Sequence, residues 1–168
     1  MWRDDIIHGG ITVVDKPELI DSGRTLDFGK GFYTTTNREQ AIKWIGIKAR
    51  RESLSEGVLS IYDISDNYQK KDGIQIKLFD GATDEWLQFI LDNRLKKSYV
   101  HPYDIVCGPV ANDRVYACLN AFENKFMTFE MAIHELRTYK LADQISFHTK
   151  RALKLVNFLD SEIIRIGR

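Results

Sequence analysis

Asp27-Phe28-Gly29-Lys30-Gly31-Phe32-Tyr33-Thr34-Thr35 is the stretch on which the reading of this chain turns. Two glycines flanking a lysine allow a tight turn, because a residue without Cβ takes right- and left-handed backbone alike. The aromatic and β-branched run after them is strand-like. A dinucleotide-binding fingerprint needs a third glycine where Thr34 stands, and the turn lies between non-adjacent elements, so a Rossmann reading fails.

Working outward, Ile6–Val14 is rich in β-branched residues and broken by Gly9 and Gly10, and residues 15–31 read as a long ordered loop. Asn37 is a plausible cap for a helix carrying Ala41, Trp44, Ile45, Lys48 and Ala49 on one spacing. Further helices are expected around 83–94, 112–122, 127–139 (capped by Thr128) and 150–157. The strands are expected at 6–14, 31–35, 58–64, 74–79, 103–108, 143–149 and 161–166. Strands at both ends with helices between, and no strict β-α-β alternation, predict an α+β domain.

The chain has 168 residues with no repeat or Pro/Ser-rich linker, so one domain over 1–168 is expected. Its 24 Lys+Arg balance 24 Asp+Glu, which disfavours electrostatic coating of a polyanion as the main task. Cys107 and Cys118 form no CxxC pair, and the four histidines have no metal-ligand spacing, so neither zinc nor any other metal is expected. With no charged-then-apolar leader and no apolar run of roughly 20 residues, a cytoplasmic protein is expected.

Three segments are chemically odd for their surroundings. His8-Gly9 ends an apolar strand, where an imidazole is either a core histidine bonded to backbone or a ribose ligand, with Gly9 opening the backbone to a ligand. In the glycine turn, Tyr33 and the downstream Trp44 offer aromatic faces to a flat cation. Asp143-Gln144-Ile145-Ser146-Phe147-His148-Thr149 alternates, and by itself reads as a surface strand with one polar face.

In that order the segments resemble the ADP-ribosyltransferase superfamily, in the His-Tyr-Glu branch that contains diphtheria toxin and the poly(ADP-ribose) polymerases. Phe28-Gly29-Lys30-Gly31-Phe32-Tyr33 is similar to the polymerases' turn, and Trp44, 11 residues after Tyr33, falls where that branch has its second stacking ring. The chain also resembles a bacterial family of such domains from toxin–antitoxin loci, through His8-Gly9, the 27–33 run, Tyr103-Asp104-Ile105-Val106-Cys107-Gly108-Pro109-Val110 and the 143–149 run.

The resemblance implies split mixed β-sheets with flanking helices around a cleft for NAD, the co-substrate. His8 would hold the adenosine-side ribose, the Gly9 backbone would pair with the nicotinamide carboxamide, and Tyr33 and Trp44 would pack on the nicotinamide ring. Arg24 is a candidate for the diphosphate or adenosine side. Gln144 takes the third position, where the branch has glutamate. A neutral amide orients hydroxyls but is no base, which argues for single transfer rather than chain elongation. His8, Tyr33 and Gln144 are thus the expected catalytic set of a mono-ADP-ribosyltransferase toxin, with a protein or nucleic-acid acceptor and a proteinaceous antitoxin as partners. Two alternatives stand beside it: an NAD glycohydrolase, and a non-catalytic NAD-, ADP-ribose- or partner-binding domain. Asp104 and Asp113 belong to the close family's motif, and the simplest role for Asp104 is to order a loop beside the sheet.

Overall fold

The strand-like runs on either side of the glycine turn join two different sheets. A computed structural model describes residues 4–19, 26–65 and 73–167. It places β1 at Ile6–Gly10, β2 at Phe32–Thr34, α1 at Arg38–Arg51, β3 at Glu56–Ile64, β4 at Ile76–Leu78 and α2 at Asp84–Leu95. There follow β5 at Ile105–Pro109, α3 at Asp113–Glu123, α4 at Phe129–Leu136, β6 at Asp143–Phe147, α5 at Lys150–Leu153 and β7 at Val156–Arg165. The first sheet is antiparallel in the order β1-β3-β7. The second has the order β2-β6-β5-β4, with β4 and β5 parallel and the other pairs antiparallel. The chain is therefore α+β, with two sheets and flanking helices.

The sheets meet where Ile7 and Thr35 exchange both backbone hydrogen bonds, at 2.8 and 2.9 Å. Side chains alternate across each strand, so each sheet feeds two cores. Ile6, Phe32, Tyr62, Ile105, Ile145 and Phe147 fill the space on one side. Phe28, Trp86, Phe89, Ile90, Val106, Leu119 and Leu136 pack on the other face of the second sheet, under α2, α3 and α4. A third, smaller cluster seats α1 on β1 and β3 through Ile7, Ala41, Ile45 and Leu59. Helix starts are set by side-chain caps: Asn37, Thr83, Asn112 and Thr128 each accept a backbone N–H of their first turn.

Several expected boundaries move. Residues 11–14 leave the ladder after Gly10, and Val14 is held instead by Ser60 Oγ (3.0 Å) and the Tyr62 hydroxyl (2.5 Å). The helix expected over 150–157 ends at Leu153, because Val156 already pairs with Ile64 and opens β7 five residues before the expected strand. The strand expected to lie on the surface from 143 is interior: β6 runs between β2 and β5, and Gln144, Ile145, Ser146 and Phe147 are all buried. Asp104 does order a loop, accepting from the Gln75 N–H and the Thr149 hydroxyl and holding Arg151 at 2.7 and 2.8 Å. Burial alone would raise its pKa, but these bonds together hold it below the ordinary carboxylate range. No helix among the described residues is long and apolar enough to cross a membrane.

Candidate functional site

The Ile7–Thr35 junction brings β1 beside β2, and this puts His8 on Tyr33. His8 Nδ1 lies 2.8 Å from the Tyr33 carbonyl oxygen. A carbonyl only accepts, so Nδ1 carries the proton and Nε2 keeps a lone pair. Burial, with the nearby Lys48 ammonium, lowers the His8 pKa to about 4 against the pull of the Tyr33 bond, so the ring is neutral at physiological pH. The imidazole stacks on Phe32 at 4.6 Å. Phe32 and Tyr33 point to opposite faces of β2, so His8 contacts the backbone of Tyr33 while the phenol lies on the other face, against the α2–α4 core.

The glycine turn is held by side chains at three successive carbonyls. His101 Nε2 donates to Phe28 O at 2.7 Å, the Tyr33 hydroxyl to Gly29 O at 2.5 Å, and His148 Nδ1 to Lys30 O at 2.7 Å. The Phe28 N–H returns to the Tyr33 hydroxyl at 3.1 Å. Gly29 has φ of 86°, and a Cβ on Gly31 would sit 2.7 Å from both His148 Nδ1 and Phe147 O, so both positions require glycine. His148 Nε2 accepts from the Ser146 hydroxyl at 2.7 Å, and the two histidine rings meet edge to face at 4.4 Å. Burial and the neighbouring His101 lower the His148 pKa to about 4. Burial also lowers that of His101.

β6 supplies the third part. Tyr33 pairs with Ser146, so Ser146 and Gln144, two residues back, share the face on which the phenol lies. Gln144 Nε2 is 3.3 Å from Pro109 O and 3.5 Å from Asp27 Oδ2. The Tyr116 hydroxyl donates to Asp27 Oδ1 at 3.0 Å, and the Arg94 guanidinium lies 4.7 Å from the Tyr116 ring centre. Burial raises the Asp27 pKa although Tyr116, Gln144 and Arg94 oppose it, and burial together with Asp27 pushes Tyr33 well above an ordinary phenol. The arrangement is a polar column under an aromatic turn, able to orient hydroxyl or amide groups rather than to supply a strong base.

The structure thus sets His8 against the backbone of Tyr33 and puts the Tyr33 phenol and Gln144 on one face of the second sheet, with the His8 ring on the other face. Gly9 has a different local reason from ligand access: a Cβ there would lie 2.2 Å from Ala41 O, so the glycine lets α1 sit on β1. Its carbonyl already accepts from Lys48 Nζ at 2.7 Å. Trp44 is half-buried on α1, one turn before Lys48. The rings around Tyr33 among the described residues are Phe28 (6.5 Å) and His148 (6.2 Å), so the expected Tyr33–Trp44 clamp is not assembled in this conformation. Arg24 lies outside the described residues. Three surface cavities of about 660, 390 and 600 Å³ are lined by other residues, at the α3–α4 corner, beside Pro109 and beside α5. Among the described residues no group of three His, Cys, Asp or Glu side chains could hold a metal ion.

Asp27, Tyr116, Arg94 and Lys48 are site residues the sequence did not assign. The one available signal was a carboxylate set directly before a buried phenylalanine in the turn motif. No curated protein and no solved structure matches this chain. A family described as "Protein of unknown function (DUF3990)" matches residues 5–158, and the chain belongs to it.

Proposed function

We propose that this protein is an NAD-dependent mono-ADP-ribosyltransferase, acting as the toxin of a bacterial toxin–antitoxin pair on a macromolecular acceptor. The observation that carries the reading is the placement of His8 against the Tyr33 backbone where the two sheets join, with Gln144 of β6 on the face of the second sheet that holds the Tyr33 phenol. Those residues stand in the order in which the sequence resembles the His-Tyr-Glu transferases. In this reading Tyr33 and its turn seat the nicotinamide, and His8 Nε2 accepts a ribose hydroxyl. Nicotinamide leaves as a neutral ring from a cationic one, so departure needs no strong general acid. The sugar becomes oxocarbenium-like, and placed dipoles stabilise that charge. Trp44 closes over the ring only after α1 or the turn shifts, so substrate binding brings a conformational step.

Incubation with adenylate-labelled NAD and cell lysate, followed by nuclease or protease, tests the reading. Covalent label removed by one of the two enzymes supports transfer and names the acceptor class. Free ADP-ribose alone selects an NAD glycohydrolase instead. The burial of Gln144, 3% exposed, favours a non-catalytic nucleotide- or partner-binding domain as the second reading. Calorimetric binding of NAD or ADP-ribose without turnover would select that one.

A further inference from the structure

We propose that Asp27 is the positioning residue of this site, a buried carboxyl group that fixes the side-chain amide of Gln144. The transferase reading supplies only the reaction in which the pair would act. The pairing itself follows from the geometry. Gln144 Nε2 faces two groups, Asp27 Oδ2 at 3.5 Å and Pro109 O at 3.3 Å. The carbonyl is purely an acceptor, and the carboxylate is one when ionised. The flipped amide would set oxygen against oxygen twice. Nitrogen therefore points inward and Oε1 points away from both. A carboxylate at the N–H end of an amide polarises it, which makes Oε1 a stronger acceptor for a hydroxyl or N–H of a bound group.

Asp27 is itself positioned, which a passive core polar residue need not be. The Tyr116 hydroxyl of α3 donates to it, Arg94 of α2 lies behind Tyr116, and Tyr33 of β2 is close enough to feel its charge. Asp27 is 7% exposed and Gln144 3%, so the pair interacts with little screening by water. This gives the glutamine a physical reason. A glutamate at 144 would set two carboxylates side by side in a buried place, and one would have to hold a proton. Glutamine is the residue compatible with a fixed carboxylate at 27.

The test compares wild type with Gln144→Glu, Asp27→Asn and the swap Asp27→Asn/Gln144→Glu. Thermal unfolding from pH 5 to 9 and carboxyl NMR titration are read alongside kcat, KM and the pH profile of nicotinamide release from NAD. In Gln144→Glu, one carboxyl of the pair should titrate well above Asp27 of wild type, with melting temperature falling as pH rises through that point. The swap should remove this titration and recover stability. Asp27→Asn should lower kcat roughly tenfold or more with little change in KM, and the swap should recover part of it with a carboxylate-type pH profile. A Gln144→Glu protein that titrates and melts like wild type overturns the proposal, as does a swap indistinguishable from Gln144→Glu. If Gln144→Glu does not fold at neutral pH, folding of the swap supports the coupling and its failure contradicts it. If wild type releases no nicotinamide, the transferase reading fails, while the titration and unfolding measurements still decide the Asp27–Gln144 coupling.

Discussion

Tyr33 works at both ends. Its carbonyl receives His8 and its hydroxyl closes the turn onto Gly29 and Phe28. Tyr33→Phe keeps the ring but leaves the Gly29 carbonyl and the Phe28 N–H without this partner. Each half-buried group left unpaired costs about 1–3 kcal/mol, so we predict a loss of that order, measured by urea unfolding. Gly9→Ala is more severe. Its Cβ would lie 2.2 Å from the Ala41 carbonyl, a backbone atom that can yield only by moving α1. Overpacking of this kind costs roughly 1–3 kcal/mol or more, and the fluorescence of Trp44 on α1 should report the displacement. At this scale His8, Tyr33 and Gln144 stood out as candidates because their segments, taken in order, carry the resemblance. Asp27 did not, since its partners Tyr116 and Gln144 lie 89 and 117 residues away, beyond any local pattern.

The glycine turn as an element depends on neutral histidines. His8 and His148 hold Tyr33 O and Lys30 O, and both have pKa values lowered to about 4 from 6.5, with burial the largest cause. The unfolded chain takes up these protons near pH 6.5 and the folded one near 4, so between those values the unfolded state binds more protons. Stability therefore falls as pH drops from 6.5 to 4, by roughly 3 kcal/mol per histidine at the lower end. Melting temperatures measured across that window should show the decline. In His148→Gln the slope should be reduced, with His8 and His101 supplying what remains, even if stability at pH 7 drops. A melting temperature independent of pH over the window would mean that the rings are solvated. The elements themselves were readable from β-branched runs and caps such as Asn37 and Thr128. Where reading failed, pairing decided. β7 starts at Val156 because Ile64 lies opposite, and β6 is buried because β2 and β5 flank it.

Over the whole molecule, the two sheets touch through the Ile7–Thr35 bridge, and the site sits at that seam, with a helical core under one sheet and α1 on the other. Behind the seam lies a shared core, in which Ile6 and Tyr62 of the first sheet pack with Phe32, Ile105, Ile145 and Phe147 of the second, so the two sheets hold one another in place. The equality of 24 basic and 24 acidic residues fits a ligand recognised by a few placed groups rather than by a field. The α+β class was legible from the order of elements, and the split into two sheets was expected from the resemblance rather than from that order, because which strands pair is set by contacts far apart in the chain. In the proposed function, the region of His8, Tyr33 and Gln144 cleaves the bond between nicotinamide and ribose in NAD. That cleavage is tested most directly by nicotinamide release from NAD by folded wild type, His8→Ala and Gln144→Ala, with circular dichroism verifying each fold. Wild type should release nicotinamide, and release should fall at least about tenfold in both folded variants. No release by folded wild type, or release unchanged in both variants, would contradict the proposed function.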